Sequence, residues 1–291
     1  MTRIAFIGLG IMGGPMAANL ADAGHHVLGF NRSTPRSPRV AESGVVLAGS
    51  VESAVTDAEV VATMLPDSPD VQAVLGEAFA SAPPDALFVD FSTIRPDVAR
   101  ELAATALGQG RALLDAPVSG GEQGAVDGSL SVMVGGDAAA FDRARPLLDV
   151  VGATVVHVGE AGAGQTVKAA NQLIVAGTLC LVAEAVTFLE ASGVDTDKAL
   201  TVLKGGLAGS AVLERKSSSM VRREYDPGFR LTLHHKDMGI YTATARAAGV
   251  ASPTGAIAAQ LVASAVAQGY GDLDHSALLR LVEQLSGRSG R

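Results

Sequence analysis

The feature that most limits what this chain can fold into is a strand running straight into a glycine-spaced turn. RIAFI (3–7) is apolar, and Gly8-Leu9-Gly10-Ile11-Met12-Gly13 follows it at the start of a helical pattern over 12–23. Each glycine has its own task in such a turn. Gly8 permits the tight bend, Gly10 lets backbone approach a pyrophosphate, and Gly13 lets helix and strand pack closely while the helix N-terminus meets the negative charge. The spacing alone means little in a chain with 34 glycines, but its place inside a first strand–turn–helix unit makes it specific. Gly8–Gly13 is the expected dinucleotide cradle.

Downstream, short apolar runs alternate with helical patterns. HVLGF (26–30), EVVATM (59–64), ALFVD (86–90) and ALLDA (112–116) read as strands, with a further helix over 96–107. LSVMVG (130–135) and TVVHVG (154–159) flank a helical stretch around 138–149. Strands separated by helices of this length form βαβ units, hence a mostly parallel sheet covered on both faces. After Gly164 the character changes. Ala-rich helical periodicity holds near 164–192, 195–204, 234–248, 253–267 and 274–286, without strands. The first of these would be about 40 Å long as one helix. The expected class is α/β: a Rossmann-type, doubly wound, mostly parallel sheet domain over 1–162, then an all-α domain over 163–291 for substrate binding and oligomerisation. The tail 286–291 reads as disordered.

In a dinucleotide-binding unit the second strand ends in an acid when the ribose hydroxyls of NAD are to be held. Here it ends in Asn31, eighteen residues past Gly13, followed by Arg32, Ser33 and Thr34. No carboxylate repels a 2′-phosphate there, and a guanidinium with hydroxyls can hold one. NADP(H) is expected in preference to NAD(H).

Ligands of open α/β sheets bind beyond the carboxyl ends of the strands. Met64-Leu65-Pro66 follows one strand and can pass along the nicotinamide ribose, and Ser92 and Thr93 end the next. Val118-Ser119-Gly120-Gly121 follows the strand beyond, and its glycine pair exposes N–H groups that suit a carboxylate. Lys168 is the single charge in AGAGQTVKAANQLIVAGTLCLVA (161–183). A lone helical lysine commonly snorkels to water. Asn171 and Gln172, three and four residues on, share its helical face and turn it into a polar patch expected to face a cleft.

Composition narrows the partners. Hydrophobic residues make up 48% and aromatics only 4%, so Ala, Val and Leu fill the cores, and small-residue helix packing points to a homodimer or homotetramer. A net charge of −8 without a basic cluster argues against nucleic acid and acidic membrane surfaces, while leaving a small anionic substrate compatible. Cys180 is the single cysteine, so no intrachain disulfide forms. No signal-peptide layout is seen, and Leu173 to Ala183 falls short of the roughly 20 residues of a membrane span. A soluble, cytoplasmic protein is expected. His25, His26, His157, His234, His235 and His275 lack zinc-ligand spacing, so they are expected on the surface or in loops, with no metal site.

In this order, IGLGIMGGPMA (7–17), DAPVSGG (115–121), GAGQTVKAANQ (162–172) and HHKD (234–237) resemble the β-hydroxyacid dehydrogenase family over essentially the whole chain. GGLAGS (205–210), PGFRLTLHHKD (227–237) and DHSAL (274–278) are similar to the branch that reduces tartronate semialdehyde (2-hydroxy-3-oxopropionate). The resemblance implies that Lys168 is catalytic and that Ser119 and Gly120 hold a substrate carboxylate. It also implies that Thr93 lies beside nicotinamide and substrate, that Lys236 packs at the cofactor, and that Asn171 or Gln172 assists the substrate. Some members carry Asn-Asn where this chain has Asn171-Gln172.

The implied reaction is hydride transfer from NAD(P)H to a small 3-oxo acid, with the lysine ammonium stabilising the developing oxyanion and supplying the proton. Burial lowers an ammonium's pKa from its usual ~10.4 and so eases that exchange. Branches acting on 3-hydroxyisobutyrate or succinic semialdehyde would share these residues. A non-catalytic dinucleotide-binding module would bind cofactor without turnover.

Overall fold

Alternation along the first strand sets the architecture: Ile4 and Phe6 enter one core, Ala5 and Ile7 another, on opposite faces of one sheet. The computed structural model describes residues 1–33 and 37–288, and the chain divides into two units, Met1–Lys168 and Ala169–Arg291. Thr34 and the last three residues of the tail lie outside the described residues.

The sheet unit contains β1 (Arg3–Ile7), β2 (His26–Phe30), β3 (Val46–Leu47), β4 (Val60–Thr63), β5 (Leu87–Asp90), β6 (Ala112–Asp115), β7 (Val118–Ser119), β8 (Leu130–Gly135) and β9 (Gly152–Gly159). Their order is β3-β2-β1-β4-β5-β6-β8-β7, with β9 also paired to β8. Pairing is parallel from β3 to β6, antiparallel where β8 meets β6 and β7, and parallel again between β8 and β9. The order reverses between β1 and β4, the switch point at which such sheets open a crevice.

Among the described residues, seven helices cover the sheet: α1 (Gly13–Asp22), α2 (Pro38–Glu42), α3 (Val51–Val55), α4 (Ser68–Ser81), α5 (Pro96–Gly108), α6 (Gly121–Val126) and α7 (Ala138–Val151). Met16 and Leu20 of α1 and Leu148 of α7 pack on the Ile4/Phe6 face. Val71 and Leu75 of α4 and Ala99 and Leu102 of α5 pack on the other. With both faces covered, the central strands β4 and β5 are buried on both sides and read as continuous apolar runs, whereas β3 and most of β9 are not.

α8 (Ala163–Ala191) starts in the sheet unit and continues into the helical one, which adds α9 (Thr196–Lys204), α10 (Ala211–Arg222), α11 (Leu231–Ala247), α12 (Pro253–Ala265) and α13 (Leu278–Leu285). Leu179, Ala183 and Val186 of α8 bury against Leu231, Met238, Val262 and Leu279. Cys180 is buried in the same core, and burial pushes its thiol up to about 11.

Three expectations need correction. α8 has 29 residues and contains an 18-residue stretch of mean hydropathy 1.9, so it is long and apolar enough to cross a membrane by length and composition, because the helix runs on past Glu184, where the apolar run ends. Its buried side is core of the helical unit. The stretch 274–286 is not one helix. The Asp274 carboxylate accepts from the Ser276 N–H (3.1 Å), so a short 3₁₀ turn, His275–Ala277, precedes α13. Finally, His234 and His275 are buried side by side rather than placed at the surface, with their Nδ1 atoms 3.3 Å apart. Burial, then His234, pushes His275 down to about 3, so its ring fits inside in the neutral form.

Candidate active site

The glycine turn separates structural from open positions. Gly8 has φ +102°, and a Cβ there would lie 2.2 Å from the Met64 carbonyl oxygen; at Gly13 it would lie 1.9 Å from the Gly8 oxygen. Among the described residues, nothing beyond its own chain neighbours lies within 4 Å of a Cβ built at Gly10. Two glycines therefore serve the fold, and the third leaves backbone accessible from outside at the start of α1. Gly8 N–H donates to the Phe30 carbonyl (2.8 Å), and Leu9 N–H donates to Asn31 Oδ1 (2.9 Å). Asn31 Nδ2 donates in turn to the Ser33 carbonyl (2.8 Å), so Asn31 ties the end of β2 to the turn. Ile11 and Met12 are half-buried, and Arg32 and Ser33 are exposed beside Asn31. An uncovered backbone turn at a helix N-terminus fits the pyrophosphate of a nicotinamide dinucleotide.

The next two strand ends are laced together. Asp90 Oδ1 accepts from Thr63 Oγ1 (2.8 Å) and from Ser92 N–H (3.0 Å), while Ser92 Oγ accepts from Leu65 N–H (2.8 Å). This holds the Met64-Leu65-Pro66 loop beside the Ser92-Thr93 loop. Met64, Leu65 and Thr93 are half-buried, and Pro66 is exposed.

The start of α8 is gripped from two strands. The Gln165 side chain accepts from Ile94 N–H (3.1 Å) and donates to the Ser92 carbonyl (2.8 Å). Asp115, closing β6, accepts from Gly162 N–H (2.7 Å) on one oxygen and from Gln165 N–H (2.9 Å) on the other. Burial pushes the Asp115 carboxyl up to about 6, against those two donors. One helical turn further, Lys168 Nζ donates to the Val118 carbonyl (2.7 Å). At 7% exposure Lys168 does not snorkel, and its ammonium lies against the segment that leads into Ser119, Gly120 and Gly121. Gly120 and Gly121 have φ of +143° and +66°, and among the described residues nothing beyond its chain neighbours lies within 4 Å of a Cβ built at Gly121.

Asn171, Gln172 and Lys236 belong to the helical unit. Asn171 Nδ2 donates to Gln172 Oε1 (2.9 Å), and Gln172 Nε2 donates to Asp237 Oδ2 (2.6 Å). The other Asp237 oxygen lies 3.0 Å from Lys236 Nζ. The two amides and Lys236 are thus joined through Asp237, which sequence reasoning did not single out. Asp115 and Gln165 were missed as well. An acid closing an apolar strand was the available signal, since a buried carboxylate must find donors.

Comparison with known proteins gives a consistent result. Residues 3–159 match the family model of the NAD binding domain of 6-phosphogluconate dehydrogenase, and residues 162–282 that described as NAD-binding of NADP-dependent 3-hydroxyisobutyrate dehydrogenase. The chain is 41% identical over 290 residues to 2-hydroxy-3-oxopropionate reductase of Escherichia coli (strain K12), covering 98% of each. It is 36% identical over 298 residues to NAD-dependent L-serine dehydrogenase of Pseudomonas aeruginosa, covering 99% of this chain and 100% of that one. The solved structure of Mycobacterium tuberculosis 3-hydroxyisobutyrate dehydrogenase with L-serine matches with a TM-score of 0.87 at 38% identity, covering 97% of this chain and 99% of the other.

Proposed function

The chain belongs to the β-hydroxyacid dehydrogenase family of NAD(P)-dependent oxidoreductases, and we propose that it reduces tartronate semialdehyde to glycerate, with NADP(H) preferred over NAD(H). The observation that carries the reading is the buried Lys168 ammonium, 2.7 Å from the Val118 carbonyl and next to the Ser119-Gly120 turn. The similarity to 2-hydroxy-3-oxopropionate reductase supports the choice of substrate.

A bound nicotinamide dinucleotide supplies the hydride. The Gly8–Gly13 turn holds the pyrophosphate, and Arg32 and Ser33 take a 2′-phosphate. Met64, Leu65, Pro66 and Thr93 would border the nicotinamide half, and Lys236 is assigned to the cofactor on the family resemblance. The Ser119 hydroxyl and Gly120 N–H bind the substrate carboxylate. The substrate carbonyl oxygen accepts a hydrogen bond from Lys168 Nζ and takes its proton as negative charge develops, help typically worth roughly 10²–10⁴-fold. Both ends of the Gln172 carboxamide are engaged, so Asn171 is the amide assigned to the substrate.

The enzyme acts in the cytoplasm as a homodimer or homotetramer. Ile174, Leu181 and Phe188, exposed at seven-residue spacing on α8, support self-association, and light scattering of the purified protein tests it.

The deciding experiment is NADPH oxidation with tartronate semialdehyde against methylmalonate semialdehyde, repeated with NADH. A higher kcat/KM for methylmalonate semialdehyde would move the assignment to 3-hydroxyisobutyrate. Lys168→Ala should keep NADPH affinity and lose most turnover, whereas near-normal kcat ends the proton-donor role.

A further inference from the structure

The carboxylate of Asp115 does no chemistry in the reaction above, yet it is enclosed at the end of β6. It is 2% exposed, and both of its oxygens accept backbone N–H groups from the start of α8. Two glycines make room for it. A Cβ at Gly135 would lie 2.6 Å from Asp115 Oδ1, and one at Gly164 would lie 2.9 Å from Oδ2. Three residues after Asp115, the same segment offers the Val118 carbonyl to Lys168 Nζ.

We propose that Asp115 is the positioning residue for Lys168. Its carboxylate fixes the first turn of α8 on the short Asp115–Val118 segment, which thereby holds the helix at two points, one at its N-terminus and one at the ammonium. Lys168 lies three residues past Gln165 and six past Gly162, about 4.5 and 9 Å along the axis. A shift of the helix start is therefore delivered almost undiminished to Nζ. The grip of Gln165 on Ser92 and Ile94 limits rotation about the helix axis but leaves Gly162 N–H without an acceptor when the carboxylate is removed. Burial pushes Asp115 up to about 6, so near neutral pH both oxygens are still acceptors and both amides are held. Misplacing a reacting group by about 1 Å can cost on the order of 100-fold in rate, so a purely geometric role has room for a large effect.

The inference rests on Lys168 being the proton donor, and a double-mutant cycle keeps the two ideas apart. Asp115→Asn should lower kcat about ten- to a hundredfold, with NADPH affinity by fluorescence titration and substrate KM each within about threefold of the parent. Amide hydrogen exchange at Gly162 and Gln165 should accelerate at least about tenfold. In a Lys168→Ala background, Asp115→Asn should leave the residual kcat unchanged, because the residue through which it acts is gone. Equal proportional losses in both backgrounds, or a kcat within about threefold of the parent, would overturn the positioning role. So would a fall in NADPH affinity matching the fall in kcat. If the Asn variant does not fold, Asp115→Glu, which keeps the charge and displaces it by one methylene, is run through the same cycle and judged by the same outcomes. A Lys168→Ala enzyme of near-normal kcat would instead remove the proton-donor reading, whatever Asp115→Asn does.

Discussion

The sheet unit and the helical unit hold their buried polar groups in different ways. In the sheet unit, side chains bind backbone: Asn31 takes Leu9 N–H, Ser92 takes Leu65 N–H, Asp115 takes Gly162 and Gln165 N–H, and Lys168 gives to the Val118 carbonyl. In the helical unit, where Asp274 also takes the Gly228, Phe229 and Ser276 amides, side chains additionally bind side chains across long sequence gaps. Lys216 meets Asp274, Arg223 meets Glu190 and Glu283, and Gln172 meets Asp237. Helices satisfy their own backbone, so what remains to be paired there is charge. Loops at strand ends do not, so their amides must be held by whatever side chain is near. Two buried aspartates show the consequence. Asp115 is held by two backbone amides, and burial drives it up to about 6. Asp274 is also pulled upward by burial, but His275 and the Lys216 ammonium outweigh this and carry it down to about 2.

The largest effect expected from this contrast is Asp274→Ala. It strands the Lys216 ammonium and the Gly228, Phe229 and Ser276 amides together. Breaking such a pair should cost about 3–5 kcal/mol in urea unfolding; a loss below 1 kcal/mol would break the contrast. Next comes pH. Asp115's folded value lies above its ordinary 3.8, so its contribution to stability is present below that value and is lost as pH rises through about 6, roughly 3 kcal/mol in all. Asp274 has the opposite sign, being stabilising above 3.8 and losing that as pH falls through about 2. Wild type should therefore gain about 1 kcal/mol from pH 7 to pH 5 relative to Asp115→Asn. Of similar size is Gln172→Asn, whose shorter arm gives up the 2.6 Å bond to Asp237 for about 1 kcal/mol of stability by thermal unfolding. Smallest is Gly10→Ala. A methyl there meets nothing within 4 Å among the described residues beyond its chain neighbours, so stability should stay within about 0.5 kcal/mol while dinucleotide affinity drops.

The same contrast explains what the sequence could tell. β1, β2 and β8 occupy the apolar runs read from the sequence, and the α/β class followed from their alternation with helices. The glycine turn was readable because its constraints are local, within a few residues of Gly8 and Gly13. β3 and β7 are two-residue strands that exist only through pairing with distant partners, and no run of residues announces them. α10 went unread because its buried side consists of Leu213, Ser217 and Met220, which leaves little apolar periodicity. Lys168 stood out by its isolation. Asp115, its neighbour through Val118, did not, because an acid at a strand end looks alike whether it meets water or the N-terminus of a helix 47 residues away.

The buried Cys180 has a practical consequence. As the chain's single thiol, enclosed in the helical core and pushed up to about 11, it carries almost no thiolate at mild alkaline pH. Maleimide reagents should pass the native protein by, so a cysteine introduced at any exposed position becomes the one attachment point for a fluorophore or spin label, with no background to engineer away.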